Sequence, residues 1–159
     1  MVRFLVDGIK KRGCGVPADF VECKPFPGLP VIGMFSADDR KVFINSLAAK
    51  SQDVVARTVV HELIHAFDYC RSYFDFGNVK HLACTEIRAA NLSTDCSFTN
   101  EFQRRNFALQ GQQQACVKRR AALSIKPAAA QDGKDPHRVV ESVFEACYKD
   151  TEPFGGIPT

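Results

Sequence analysis

Two histidines four residues apart, with a glutamate beside the first, stand in the stretch Thr58-Val59-Val60-His61-Glu62-Leu63-Ile64-His65-Ala66-Phe67-Asp68. The stretch reads as helix, where residues four apart lie ~40° apart around the axis and ~6 Å apart along it. His61 and His65 then point the same way from neighbouring turns, which suits two imidazoles reaching one metal ion. Glu62, turned ~100° from His61, flanks that ion without ligating it, where a base for a metal-bound water belongs. A catalytic zinc takes three protein ligands and keeps one position open. Glu86, twenty-one residues beyond His65 in a second helical stretch, is the expected third ligand. His81 is the rival, although three histidines would make a different ligand class. Its place at a helix start also fits a role behind the ligands or as a donor to a developing oxyanion. Asp68 either orients a ligand histidine or pairs with Arg71 or Arg88 on the helix surface.

The elements that must position these groups are partly readable. With His61 at the front of the helix, Thr58, His65 and Asp68 share its side. Ala56, Val59, Val60, Leu63, Ala66, Phe67 and Cys70 form an apolar back. Ser51 or Asp53 caps this helix, which ends near Cys70 to Ser72. Before it, Pro30–Phe35 and Arg40–Asn45 are β-prone runs joined by the turn residues Ser36-Ala37-Asp38-Asp39. This hairpin either holds an extended peptide at its edge or simply covers one end of the core. Residues 1–28, rich in glycine and proline, read as a loop-rich arm with a short helix at the start.

Tyr73–Asn78 reads as an aromatic loop and 81–92 as the second helix, broken by Ser93-Thr94-Asp95. From 98 to 126 the chain is helix-forming, with Phe102, Leu109, Cys116 and Leu123 as a core stripe and a break or bend expected at Gly111. Pro127–Gly133 reads as a linker. Asp135 and Pro136 then open a last helix, with Val139, Val140, Val143, Phe144, Cys147 and Tyr148 on its apolar face. The expected fold class is α+β: one mostly helical, zincin-like domain over residues 1–159, with a small hairpin or sheet before the metal-binding helix.

Composition bounds the function. At 159 residues, 45% hydrophobic and 25% charged, the chain has the balance of an ordinary globular domain. The net charge of +3 does not suggest nucleic acid. Arg104-Arg105 and Lys118-Arg119-Arg120 read as solvated helix faces. No run approaches the ~18 apolar residues that span a bilayer, so any work at a membrane is expected at its surface. The first residues do not read as a cleaved presequence. The seven cysteines contain no C-x-x-C pair, which argues against a zinc ribbon. They are either buried thiols in a reducing compartment or a partial disulfide framework in an oxidising one. An odd count leaves at least one unpaired. Cys70 and Cys147, on apolar helix faces, also read as plain core residues.

The blocks His61-Glu-Leu-Ile-His65-Ala66, Asp68, Cys70-Arg71, His81–Ser93, Asp95-Cys96, Gln114–Ala121 and Asp150–Phe154 closely resemble a family of mitochondrial inner-membrane metalloproteases that help assemble ATP synthase. The resemblance runs from about Gly33 to the C-terminus. It implies a peripheral protease on the intermembrane-space side of the inner membrane, acting on a protein or peptide substrate such as an ATP-synthase membrane-subunit precursor. It also implies an assembly-chaperone role independent of proteolysis, the alternative function, in which the zinc site is structural. Oxidative import through a disulfide relay, implied likewise, would account for both the thiols and the missing presequence. Family members often carry cysteines near Phe43-Ile44 and at Val79, and both are absent here. The expected chemistry is hydrolysis of a peptide bond with Zn²⁺ held by His61, His65 and Glu86. Glu62 takes a proton from the attacking water and passes it to the leaving amine.

Overall fold

A computed structural model describes residues 1–107 and 110–158. Among them are six helices and one three-stranded sheet, an α+β chain. It divides into two compact units, residues 1–73 and 74–159.

The first unit holds α1 (Val2–Lys11), β1 (Val21–Lys24), β2 (Gly33–Ser36), β3 (Lys41–Asn45) and α2 (Gln52–Arg71). The hairpin forms where the β-prone runs and turn residues place it, with β2 antiparallel to β3 and Met34 opposite Phe43. Its centre is β3, whose Val42, Phe43 and Ile44 are all buried. β1 lies parallel to β3 on the other side, with Cys23 opposite Ile44. This strand corrects the loop-rich reading of residues 1–28. It is four residues long between turn-forming prolines, and its parallel partner is remote in sequence. Asn45 closes the sheet at one end. Its buried amide donates to the carbonyls of Phe26, Leu29 and Val31 at 3.2–3.3 Å, while its carbonyl oxygen accepts from the Phe26 and Leu47 amides at 3.1 Å. A connection that looks irregular in sequence is thus pinned by hydrogen bonds to one buried side chain.

α2 starts at Ser51, whose hydroxyl accepts from the Val54 amide. Its apolar back, with Val60, Leu63, Ala66 and Phe67 buried, packs on β2, β3 and α1. Cys14, just beyond α1, is joined to Cys70 at the end of α2. Cys70 is therefore more than a core residue.

The second unit holds α3 (Val79–Leu92), α4 (Phe98–Gln103), α5 (Gln112–Gln131) and α6 (Pro136–Lys149). Helices α3, α5 and α6 pack on one another around Ala83, Ile87, Val117, Ile125, Val140 and Phe144. α6 begins as its sequence announces, with the Asp135 carboxylate accepting from the His137 amide and Pro136 in the first turn. Cys84–Cys147 joins α3 to α6, and Cys96–Cys116 joins the end of α3 to α5. Closing loops with separations of 63 and 20 residues constrains the unfolded chain by about 4 and 3 kcal/mol in the loop-entropy picture. Cys23 is the cysteine left free, and it is exposed.

Two expectations fail here. The stripe Phe102–Leu109–Cys116–Leu123 is not one helix face. The chain leaves the helix at Arg104 and restarts after Gly111, whose φ of 68° is left-handed. Phe102 and Leu123 are exposed, and Leu109 lies outside the described residues. Residues 127–131 of the expected linker are instead the last part of α5, which runs through Pro127. A proline there removes one helical hydrogen bond, at a cost of ~3 kcal/mol. Three alanines after it favour helix, and the burial of Ile125 and Ala129 against the core offsets the loss.

The arginine runs are not simply solvated. Asp95 accepts from Arg104 at 2.5 Å and from Arg120 at 2.8 Å. Buried Glu101 accepts from Arg104 at 3.0 Å and from Arg119 at 2.8 Å on both oxygens. Burial pushes both carboxyls up. The guanidinium groups more than offset it, and both end below the usual carboxylate range. Folded values below unfolded ones give stability that is complete above the unfolded pKa values of ~3.9 and ~4.3. It is lost as pH falls through the folded values. The thermal midpoint, followed by circular dichroism, is expected to hold down to about pH 5 and to drop below about pH 4. That acid-induced drop is expected to shrink in Glu101→Gln.

Candidate metal centre

The geometry of α2 comes from its helical repeat. His61 and His65 are both half-buried, with ring centroids 4.8 Å apart and planes at 85°. Glu62, between them in sequence, is 7% exposed. The reason lies in β2. A Cβ added at Gly33 would overlap Thr58 Cγ2 and stand 3.1 Å from Glu62 Cγ and 3.3 Å from its Oε1. The strand backbone therefore runs directly against the carboxylate side chain, and only glycine lets it come so close. Thr58 is a packing residue under this contact. Gly33 is the residue that reading the motifs missed. The signal was available, since a lone glycine inside a β-prone run marks a close backbone approach.

β2 is an edge strand, and among the described residues no strand pairs with its outer side. It offers backbone donors and acceptors to an extended chain beside Glu62.

Asp68 is buried and accepts from Arg71 Nε at 3.0 Å. The ion pair expected for it is present, but inside the protein rather than on a helix surface.

In the second unit, α3 carries both His81 and Glu86. Asn78 caps the helix, its side chain accepting from the Lys80 amide at 3.0 Å. The Asp75 amide donates to His81 Nδ1 at 3.2 Å, and the Phe74 ring stands 5.9 Å from the imidazole. A neutral imidazole that accepts at Nδ1 carries its proton on Nε2. The Asp75 amide thus occupies His81 Nδ1. Glu86 is half-buried between the buried Thr85 and Ile87.

Arg88 is 1% exposed, which overturns its reading as a surface residue. It donates to the carbonyls of Asp150 and Glu152 and forms a 2.7 Å ion pair with the Asp150 carboxylate. Asn91 donates to the Tyr148 carbonyl at 3.2 Å and accepts from Gln113 at 3.0 Å. Arg88 thus anchors the segment that follows α6, and Asn91 ties α3 to the last turn of α6 and the start of α5.

The Peptidase M76 family profile matches residues 1–155. The chain is 43% identical over 159 residues to the mitochondrial inner membrane protease ATP23 homolog of Homo sapiens, covering 99% of this chain and 64% of that protein. It is 44% identical over 158 residues to the homolog of Danio rerio, covering 98% of this chain and 62% of that protein. Over 102 residues it is 51% identical to the mitochondrial inner membrane protease ATP23 of Mycosarcoma maydis, covering 63% of this chain and 47% of that protein. The chain thus spans less than two thirds of the length of these relatives. No solved structure matches it.

Proposed function

The chain belongs to the Peptidase M76 family, and on that premise we propose that it is a zinc-dependent endopeptidase of the mitochondrial intermembrane space. The observation that carries this reading is the pairing of His61 and His65 on one helix, with buried Glu62 against the β2 edge. The donors proposed for the metal are a ring nitrogen from each of His61 and His65 and a carboxylate oxygen from Glu86. Two imidazoles and one carboxylate suit zinc and leave a fourth position open. When bound, zinc would supply a Lewis acid that lowers the pKa of a water toward neutrality.

The chain's own groups do the rest. β2 holds an extended peptide by backbone hydrogen bonds. Glu62 takes the proton of the attacking water on its carboxylate and delivers it to the leaving amide nitrogen. His81, with its proton on Nε2, donates to the substrate carbonyl oxygen as charge builds there. Asp68 acts from behind, steadying the histidine face of α2. The arrangement, two histidines and a flanking glutamate on a helix beside an edge strand, supports a zincin-like reading.

Names of relatives support a place at the mitochondrial inner membrane, since each is called a mitochondrial inner membrane protease. Three disulfides fit an oxidising space. No described helix is long and apolar enough to cross a membrane, which favours contact at the surface. The resemblance further supports an ATP-synthase membrane-subunit precursor as substrate. An assembly factor that used zinc only as a brace would have no chemical need for a carboxylate at Glu62. The direct assay is incubation with an unfolded polypeptide and mass spectrometry of the products. Internal fragments with new amino termini are expected. An intact polypeptide, or loss of terminal residues only, would contradict an endopeptidase.

A further inference from the structure

Phe98, Phe102 and Phe107 are 56%, 57% and 60% exposed. They are not scattered. Phe98 and Phe102 stack at 6.4 Å, and Phe107 meets Phe102 edge-on at 5.2 Å. The chain around them is built to hold this ladder outward. Glu101, 1% exposed, ties down the turn after α4. Its backbone carbonyl accepts from the Asn106 amide at 2.9 Å, and its carboxylate accepts from the Asn106 side chain at 3.0 Å. The turn closes through Arg105, whose φ of 63° is left-handed, and brings Phe107 back onto Phe102. Three aromatic rings in one contiguous patch forgo much apolar burial, and such patches mark a binding face.

The surrounding charge indicates what covers it. Arg104, Arg119 and Arg120 pair with two carboxylates, Asp95 and Glu101, both largely withdrawn from solvent. This cluster keeps one positive charge in excess, and Arg105, exposed and lying between Phe102 and Phe107 in sequence, adds a second. Aromatic rings flanked by arginines match an anionic lipid surface, where rings enter the headgroup boundary and guanidinium groups meet phosphates.

We propose that Phe98, Phe102 and Phe107, with Arg105, form the surface by which this chain docks on an anionic lipid bilayer. The proposal rests on the membrane association in the function proposed above and assigns it to a face. α4 and its turn lie on the outside of their unit, so exchanging these rings leaves the helical core in place.

The test is vesicle flotation, with pure phosphatidylcholine against mixed phosphatidylcholine and phosphatidylglycerol. The unaltered chain is expected to float with the mixed vesicles and to release as salt rises. The triple variant F98S/F102S/F107S is expected to bind at least about a hundredfold more weakly, and Arg105→Glu about tenfold more weakly. Both should keep the circular dichroism of the parent, an intact Cys96–Cys116 bond and unchanged cleavage of a soluble peptide. Equal binding by the triple variant would overturn the docking face alone. Loss of binding in Phe4→Ser instead, on the exposed face of α1, would do the same. A dimer of the parent that the triple variant abolishes, seen by sedimentation without vesicle binding, would assign the ladder to a second copy of the chain. No binding by the parent at all would overturn the membrane association as well.

Discussion

Glu62→Gln is expected to lower the rate of peptide cleavage by about 10²- to 10⁴-fold, the usual contribution of a positioned general base. The exchange keeps size and shape, so the contact of residue 62 with Gly33 survives. A carboxamide has no basic oxygen to accept the proton of water at neutral pH and none to return to the leaving nitrogen. Binding should therefore persist while turnover falls, with KM near that of the parent and kcat carrying the loss. The metal site should be untouched, because neither histidine changes. Unchanged cleavage would mean that Glu62 packs against β2 and does no chemistry. A glutamate half-turned from the histidines would then have only a structural role.

Glu86→Gln is expected to act differently. An amide oxygen carries no charge, and two imidazoles alone make a weak zinc site. Cleavage should fall at least as far as in Glu62→Gln, but the cause is loss of metal. Added zinc should therefore restore part of the activity by mass action, whereas Glu62→Gln should not respond. This contrast separates a ligand from a base without reference to the fold. His81 serves as the internal control. With Nδ1 occupied by the Asp75 amide, it is positioned to donate, and its removal should slow cleavage with zinc retained.

The elements legible in the sequence were those set by local rules. The four-residue spacing of His61 and His65 fixes their common face once α2 is helical. Asp135-Pro136 announces α6, and the β-prone runs around the turn residues Ser36–Asp39 announce the hairpin. What stayed hidden depends on partners far away along the chain. The parallel pairing of β1 with β3, the choice of Cys23 as the free thiol and the joining of Cys14 to Cys70 are of this kind. Arg88 looked like a surface ion-pair partner because nothing near it in sequence shows that the segment at 150–152 returns to meet it. α5 continues through Pro127 because packing of Ala129 outweighs a local breaker. The stripe Phe102–Leu109–Cys116–Leu123 was misread for the opposite reason, a seven-residue spacing laid across the break between α4 and the N-cap Gly111 of α5.

The most direct measurement is the zinc content of the purified chain and its two glutamate variants, by elemental analysis on protein isolated without added metal. About one zinc ion per chain is expected in the parent and in Glu62→Gln, with most of it missing from Glu86→Gln. A parent chain that cleaves peptide while holding no zinc would contradict the account at its centre, and full zinc retention in Glu86→Gln would remove Glu86 from the site.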